Sequence, residues 1–427
     1  MTSTFGPGNS SNTARRVAVL ISVLLCFLMQ FGLLWQLREW IRAGNPDFVN
    51  FYTAGKIVVT GNGYRLYDSA LQAQIEASLA AHSSVENFLP FVHPPFFALW
   101  MAPLSVFSYP VAFCIWWCCN LICFWVALWA LDRALGGLAL SPISILCAGL
   151  LFLPLHVAFV QGQDAVLSLL LFSLTYLFLS RGQDWLAGAV LGLAAYKPQL
   201  ALILLVLLLL TRPKRLRLAG GFLLSCLGQG ALAAAVLGWR VVVGYPVLLA
   251  NFASSFNENR FNVNTMPNLR GVLHVLLSGR LPHAVLTAAT EVLSALLVLA
   301  AIWALRSRTA QQQRPELRYA LMVASTSLAA YYGFFHDMTL ALLPLLITWR
   351  YLTDTGLGSL PLRLLAVTEA ALFLGVPLIL FAPHLVVPVL GCTFLCFWGL
   401  LLWHLCAQAP YSADPSHQPS RLASSPY

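Results

Sequence analysis

Ionisable side chains are sparse in this chain, and one carboxylate, Asp47, stands where it could do chemistry. Asp47 follows the first long apolar run by about nine residues, just outside a predicted membrane helix. A carboxylate in this position can take a proton from the hydroxyl of a substrate at the lipid interface. The surrounding aromatic residues are predicted to seat the segment at headgroup depth: Phe48, Phe51, Tyr52, Tyr64 and Tyr67.

Asp47 also has a structural interpretation. Asp is a favoured N-cap residue, and Pro46 precedes it, so its side chain could cap a helix over FVNFYTAG. Capping is compatible with catalysis, and we favour the catalytic interpretation because of the interfacial position. Asp68, after Tyr67, is predicted to be a turn or cap residue instead.

The second chemical signal is Lys197, between two short apolar runs at 185–196 and 198–211. A helix of twelve residues rises only about 18 Å, so such a pair cannot cross an ordinary bilayer, and Lys197 is predicted to face a sunken outer cavity. The alternative is one helix kinked at Pro198, with Lys197 snorkelling or paired locally. We favour a functional role because ionisable groups at membrane depth are costly.

The remaining polar clusters fall at junctions on the same predicted side of the membrane. They are QGQD at 161–164, His336 with Asp337, and the loop 238–283 with Arg260 and Arg270. Cations beside one carboxylate suit a phosphate-bearing ligand and a hydroxyl to be deprotonated. Within these clusters Asp164 is predicted to cap the following helix. His336 and Asp337 could form a local pair that closes a tight outer turn, and we favour a ligand role because ionisable groups in membranes are usually functional. His93 could begin a helix at its two prolines or contact a sugar or phosphate, and both interpretations stay open.

Composition decides the class of protein. The chain has 427 residues, of which 59% are hydrophobic and 9% charged, with a mean hydropathy of +0.78. Soluble domains carry roughly 25% charged residues, so this is a polytopic membrane protein. The net charge of +9 does not indicate nucleic-acid binding, because the basic residues form no single face or stripe. The ten cysteines lie in apolar runs and show neither a disulfide framework nor zinc spacing.

Hydrophobic periodicity predicts an all-α protein with about twelve membrane helices. The apolar runs are 17–37, 110–131, 142–160, 164–180, 185–196, 198–211, 216–237, 284–305, 319–335, 338–351, 361–381 and 385–406. Both termini are then cytoplasmic, and most Lys and Arg residues lie in short cytoplasmic loops, as the positive-inside rule requires. The apolar piece from Pro94 to Phe107 is short and is predicted to be interfacial or re-entrant.

These runs define the predicted domains. The prediction comprises a cytoplasmic tail 1–16, one transmembrane domain 17–406 with outer loops 38–109 and 238–283, and a disordered cytoplasmic tail 407–427. With no separate soluble sugar-binding domain predicted after the last helix, recognition of any acceptor would fall to the outer loops and the cavity.

Four segments, in this order, carry a resemblance to a known family. They are DFVNFYTAGKIVVTGNGYRLYD, HPPFFALWMAPLSVF, the GQD junction followed by WLAGAVLGLAAYKPQLAL, and FFHDMTLALLPLL. Together they resemble glycosyltransferase family 87, the polyprenyl-phosphate-mannose-dependent α-mannosyltransferases, within the C-type membrane glycosyltransferase superfold. The resemblance covers nearly the whole chain, and the order of the segments makes it specific.

The resemblance implies a reaction at the outer face of the bacterial plasma membrane. A hexose would leave a polyprenyl phosphate in an inverting displacement, with Asp47 as general base toward a glycolipid or glycan hydroxyl. It implies donor-phosphate binding by Lys197, His336, Arg260 and Arg270, and substrate binding by Tyr52, His93, Gln163 and Asp337. It requires no metal or other cofactor. The implied partners are the donor, the acceptor and the bilayer, and no nucleic acid.

Two rival interpretations remain open from the sequence. A transporter or flippase of lipid-linked sugars commonly shows two related halves with matching interruptions, and the 185–211 pair has no evident counterpart. A glycan polymerase or ligase would also use large outer loops. The enzyme interpretation requires Asp47 to lie within about one substrate length of Lys197 and His336. The identity of the acceptor and the linkage formed are open.

Overall fold

The structure is a computed structural model that describes residues 8–79, 89–137, 151–211, 215–255, 263–307 and 314–407. These residues form α-helices and short 3-10 helices, with no strand among them beyond one isolated bridge between Ser278 and Leu281. The all-α prediction is therefore confirmed. Arg260 and the predicted tail from residue 408 onward lie outside the described residues.

The helices are numbered here in chain order. The first ten are α1 (Gly8–Gln36), α2 (Arg38–Arg42), α3 (Phe48–Val59), α4 (Ser69–Leu79), α5 (Pro95–Met101), α6 (Tyr109–Ala134), α7 (Leu153–Gln161), α8 (Ala165–Ser180), α9 (Asp184–Leu193) and α10 (Pro198–Thr211). The others are α11 (Arg215–Leu237), α12 (Trp239–Ser255), α13 (Leu269–Leu277), α14 (His283–Arg306), α15 (Pro315–Ala329), α16 (Leu342–Thr355), α17 (Leu360–Leu372), α18 (Gly375–Phe381) and α19 (Val386–Ala407).

Within the residues that the structure describes, five helices are long and apolar enough to cross a membrane, or up to seven spans if each of two bent pairs counts as one. The five are Val17–Gln36, Tyr109–Ala134, Leu216–Leu237, His283–Arg306 and Pro383–Ala407, and the bent pairs are α7 with α8 and α17 with α18. The chain is thus a multi-pass membrane protein. The count of twelve is not confirmed, because several predicted runs fold as shorter helices, among them α9 and α10.

The first outer loop is built around a buried helix, α3. Its aromatic residues Phe48, Phe51 and Tyr52 are almost fully buried in the protein, so they do not contact lipid headgroups as interfacial aromatic residues do, and their depth in the membrane stays a prediction. Phe48 packs edge-on against Phe113 at 5.7 Å and parallel to Trp116 at 6.2 Å. Burial of such rings is strongly favourable, and it anchors the start of α3, where Asp47 lies, against α6.

The helices that carry the polar groups end at two junctions in the core. The chain bends by 120° between α7 and α8, so it folds back at the QGQD segment. α9 ends in a 3-10 turn, Ala194–Tyr196, directly before Lys197 and α10, close to the predicted boundaries. α9 packs tightly on α11, where a Cβ on Gly188 would lie 2.0 Å from the Leu218 carbonyl oxygen. A residue larger than glycine at Gly188 would push these helices apart.

Candidate active site

The polar junctions converge on one cavity of about 600 Å³, which we call the Asp47 cavity. It is lined from separate parts of the chain: the start of α3, the segment 89–93, the α7–α8 turn, the α9–α10 break, α12 and the segment 332–337. The chemically active lining residues are Asp47, Asn50, His93, Gln163, Asp164, Tyr196, Lys197, Gln199, His336 and Asp337. Asp47, Lys197 and His336 thus share one cavity, as the enzyme interpretation requires.

Asp47 occupies the N-cap position of α3, yet its carboxylate makes no capping hydrogen bond. Its Oδ2 accepts a hydrogen bond of 2.6 Å from Gln163 Nε2. Its backbone N–H donates to Gln161 Oε1 at 3.2 Å. The α7–α8 turn therefore holds both the backbone and the side chain of Asp47, and the capping interpretation lacks its hydrogen bond.

Gly162 allows the α7–α8 turn to come this close. It adopts a left-handed conformation with φ 62°, and a Cβ there would lie 2.8 Å from the Phe48 Cβ. Its carbonyl accepts from Trp116 Nε1 at 2.7 Å, and the next carbonyl, of Gln163, accepts from Asn120 Nδ2 at 3.1 Å. Both donors lie on the long helix α6, so a membrane helix fixes the residue that binds the Asp47 carboxylate.

Asp164 is part of a buried charge cluster, which sequence reasoning missed. It precedes α8 but makes no capping hydrogen bond with its side chain, so the predicted cap role is wrong. Its Oδ1 pairs with Lys197 Nζ at 2.5 Å, and its Oδ2 lies 2.9 Å from His93 Nε2. The signal available in the sequence was the adjacency of Asp164 to Gln163 in the GQD segment.

Lys197 stands between two carboxylates, because it forms a second ion pair with Asp337. Lys197, Asp164 and Asp337 are all buried, so their charges are shielded from solvent. The ammonium is therefore neither snorkelling nor paired with a residue near it in sequence. An ammonium group has three N–H donors, so two carboxylates leave one donor for a ligand.

Asp337 and His336 lie together on the segment after α15. Asp337 Oδ2 accepts from the Phe334 backbone N–H at 3.0 Å, so this carboxylate both ends a tight turn and binds Lys197. His336 Nε2 lies 3.7 Å from Asp337 Oδ1. Burial lowers the pKa of His336, although Asp337 acts in the opposite direction. A neutral imidazole at pH 7 offers one N–H donor and one acceptor.

Burial raises the pKa of Asp47, while the neighbouring His336 and the hydrogen bond from Gln163 act to lower it. Within the described part of the chain, no ion pair involves Asp47. Its environment thus favours proton acceptance more than that of an exposed aspartate does. This is the property that a general base requires.

The His93 ring is packed between aromatic side chains. Its ring stacks on Phe97 at 4.9 Å and meets Phe51 edge-on at 5.1 Å. Its carbonyl accepts from Tyr67 at 2.8 Å. His93 therefore lines the cavity in a fixed orientation, with Nε2 committed to Asp164.

Among the predicted site residues that the structure describes, two do not line the Asp47 cavity. Tyr52 donates its hydroxyl to the Phe107 carbonyl at 2.8 Å and is buried in the core. Arg270 is also buried, with its guanidinium 4.0 Å from the ring centroid of Tyr331 and 5.2 Å from that of Tyr332. Since Tyr332 lines the cavity, Arg270 lies behind its wall.

Asn50 is a further lining residue that sequence reasoning did not single out. It lies three residues after Asp47 on α3, which places both on one helix face. Its Oδ1 is buried without a hydrogen-bond partner among the described residues. The spacing of three residues between Asp47 and Asn50 was the signal in the sequence that could have identified Asn50. Within the described ranges, no group of three or more His, Cys, Asp or Glu side chains is placed to hold a metal ion.

The family model of glycosyltransferase family 87 matches residues 91–331, more than half of the chain. The matched part contains His93, Gln163, Asp164 and Lys197, whereas Asp47 and the 336–337 pair lie outside it. No curated protein matches this sequence.

Proposed function

Since the chain belongs to glycosyltransferase family 87 and is a membrane glycosyltransferase, we propose that it transfers a hexose from a polyprenyl-phosphate donor to an acceptor hydroxyl. The proposed sugar is mannose, the proposed outcome is inversion, and the proposed base is Asp47. Family membership argues against the non-enzymatic transporter. A glycan polymerase or ligase would use a preassembled lipid-linked glycan as its donor, so the choice of donor distinguishes it from the proposed enzyme.

The observation that carries this proposal is that the Asp47 carboxylate lines the cavity without an ion pair among the described residues. It lies in the cavity with a carboxylate that is outside the buried ion pairs, while Asp164 and Asp337 are both bound to Lys197. Gln163 binds Oδ2 of Asp47, which leaves Oδ1 for an acceptor hydroxyl. A base must be in hydrogen-bond reach of the proton that it removes, and the wall of a cavity of about 600 Å³ meets that need.

The proposed reaction is a single displacement. The acceptor oxygen attacks the anomeric carbon and forms the new glycosidic bond while its proton passes to Asp47. The bond between the anomeric carbon and the phosphate oxygen breaks, and the electron pair leaves with the polyprenyl phosphate. Attack on the face opposite the leaving group inverts the anomeric centre. The proton on Asp47 is then lost to solvent.

Lys197 and His336 are the proposed partners of the donor phosphate. The remaining N–H of the Lys197 ammonium and the N–H of a neutral His336 would donate to phosphate oxygens as their charge grows. The charge of Lys197 is offset by two carboxylates, so its contribution would be a directed hydrogen bond more than net charge. Arg270 would add positive charge from behind Tyr332.

The substrate positions follow the same logic. Gln163 would orient Asp47, and His93 and Asp337 would hold the walls that the sugar contacts. We place the cavity on the extracytoplasmic face of a bacterial plasma membrane, as the distribution of Lys and Arg predicts. A lipid-borne acceptor and a lipid-borne donor could then meet at the interface.

The test is transfer of radiolabelled mannose from polyprenyl-phosphate mannose into an envelope lipid and glycan extract, using the full chain in proteoliposomes. Asp47→Asn keeps the size and the hydrogen bond to Gln163 but removes the base. We expect the rate to fall by about 10²- to 10⁴-fold. The matched control is Asp68→Asn, a half-buried carboxylate of the same loop whose capping role an asparagine can keep.

The outcomes separate the parts of the proposal. Equal transfer by wild type and Asp47→Asn would show that Asp47 is not the base. Loss of transfer in both variants would point to damage to the loop. If wild type uses another polyprenyl-phosphate hexose in place of mannose, only the donor sugar changes. If it uses only preassembled lipid-linked glycans, the enzyme is a polymerase or ligase.

A further inference from the structure

A second polar cavity, of about 310 Å³, lies at the other end of the helices that build the Asp47 cavity. α8 begins beside Asp164 and ends at Ser180, which lines the second cavity. α10 likewise begins at Pro198 and reaches the second cavity at Leu208. Because an α-helix rises 1.5 Å per residue, α8 separates the two cavities by about 22 Å.

Three arginines surround this second cavity, which we call the arginine cavity: Arg314, Arg318 and Arg350. Two acidic residues, Glu316 and Asp354, accompany them. Asp354 bridges two arginines, with Oδ1 2.5 Å from Arg350 and Oδ2 3.2 Å from Arg314. Both oxygens of Asp354 are therefore engaged, while each guanidinium has five N–H donors.

The acidic residues do not balance the positive charge. Glu316 Oε1 lies 3.8 Å from Arg314, and burial raises the pKa of Glu316, which disfavours its negative charge. Arg318 Nη2 reaches the carbonyls of Thr211 and Leu305 only at 3.4 and 3.5 Å. The lining thus carries more positive than negative charge.

The lining of the arginine cavity also has an apolar part, which we call its floor. Tyr176 and Tyr319 stack with ring centroids 4.7 Å apart, and Tyr319 donates its hydroxyl to the Phe172 carbonyl at 2.8 Å. Leu208 and Met322 complete the floor. An anion with an apolar portion fits such a cavity, because its charge meets the arginines and its remainder meets the rings.

We propose that the arginine cavity is a binding site for a phosphate-bearing ligand on the membrane face opposite the Asp47 cavity. Guanidinium groups bind phosphate oxygens through paired N–H donors, and three of them converge here around one open space. Two sources supply this chemistry, an anionic phospholipid headgroup and a soluble phosphate. The site is independent of the transfer reaction.

The experiment measures the unfolding temperature of the full chain in detergent, followed by its tryptophan fluorescence. The probes are short-chain phosphatidylglycerol, phosphatidylcholine as the neutral lipid, and inorganic phosphate against chloride at equal ionic strength. We expect phosphatidylglycerol or phosphate to raise the unfolding temperature. Arg318→Gln should weaken the apparent affinity about tenfold or more, because it removes a charged hydrogen-bond donor.

A second variant keeps every charge. Ser180→Trp places a large ring at the exposed rim of the cavity and should block binding as strongly as Arg318→Gln does. Arg363→Gln is the matched control, since Arg363 is exposed on α17 and does not line the cavity. A shift with lipid alone identifies a headgroup, and a shift with phosphate identifies a soluble ligand. An equal shift with phosphatidylcholine, no shift with any probe, or unchanged binding in both variants would overturn the proposal.

Discussion

α10 lines both the Asp47 cavity and the arginine cavity, and the two cavities differ in how they hold charge. In the Asp47 cavity, Lys197 and Asp164 are 7% and 0% exposed. In the arginine cavity, Arg314 and Asp354 are 33% and 28% exposed. The first set of charges is almost fully buried, and the second is partly exposed.

This difference has an energetic meaning. A buried charge has lost its hydration, so it depends on its partner, and loss of one partner leaves an uncompensated charge. A partly exposed charge can exchange its partner for water or a ligand at little cost. We infer that the buried cluster fixes the geometry around Asp47, whereas the arginine cavity is suited to reversible binding. Variants in the two cavities should therefore differ in their effects on stability and transfer.

The largest effect is expected from Lys197→Met, which leaves Asp164 and Asp337 without their cation. The free energy of unfolding should fall by about 3–5 kcal/mol, and transfer should be lost. Arg350→Gln, which removes a partner of Asp354 in the arginine cavity, should cost at most about 1 kcal/mol. Unfolding of both variants in detergent by denaturant or heat measures this difference.

A double variant provides the control for Lys197→Met. Adding Asp164→Asn should recover part of the stability, because one uncompensated carboxylate is removed together with the lysine. If Lys197→Met and Arg350→Gln lose equal stability, the two cavities do not differ in how strongly their charges depend on their partners.

The next effect is expected from Gly162→Ala. The new Cβ would lie 2.8 Å from the Phe48 Cβ in a left-handed backbone, so the cost should be about 1–3 kcal/mol. Transfer should fall as well, since the next residue, Gln163, binds Asp47. Gly182→Ala is the matched control, because Gly182 has φ 71° but a Cβ there would have no other atom within 4 Å. It should show the backbone strain alone, with transfer retained.

Equal losses of stability and transfer in the two glycine variants would argue against a specific role for the α7–α8 turn. The measurement pairs the unfolding temperature with the rate of labelled-sugar transfer. Because both glycines flank α8, this pair also compares its two ends directly.

The sequence predicted the class, the family and the convergence of the polar junctions. Asp47, Lys197 and His336 stood out because ionisable residues are rare between apolar runs, and all three line one cavity. The breaks at Lys197 and at the QGQD segment were visible from Pro198 and Gly162, whose backbone preferences are local. The roles of these residues in transfer stay predictions.

Pairing over long distances was out of reach of the sequence. Asp164 reads as a helix cap from its neighbours, and only the fold brings Lys197 and His93 to it. The aromatic residues of α3 read as an interfacial belt, because composition does not show that α3 packs against α6. The number of spans depends on helix lengths and breaks, which apolar runs define poorly.

The pH dependence of transfer should reflect the burial of Asp47. Burial raises its pKa, so the base becomes protonated, and transfer falls, at a pH above that of an exposed aspartate. Gln163→Leu removes a hydrogen bond that lowers this pKa, so the acid limb of kcat/KM should move to higher pH. Phosphate or lipid binding at the arginine cavity should not change in this variant. If the acid limb does not move, Gln163 does not influence the pKa of the catalytic base.

The smallest effect concerns stability and should differ in sign between the cavities. The folded-state pKa of Asp47 lies above its unfolded value, so Asp47 favours folding below the unfolded pKa and loses that contribution as the pH rises through the folded pKa. At neutral pH the ionised carboxylate of Asp47 therefore destabilises the folded state, and Asp47→Asn should be slightly more stable than wild type.

Asp354→Asn should be less stable by up to about 1 kcal/mol, because it loses ion pairs to Arg314 and Arg350. Unfolding temperatures at neutral and acidic pH measure both, and the gain from Asp47→Asn should shrink on acidification. A loss of stability in Asp47→Asn at neutral pH would mean that the Asp47 carboxylate stabilises the fold. Asp47 and Asp354 would then not differ in the sign of their contribution to stability.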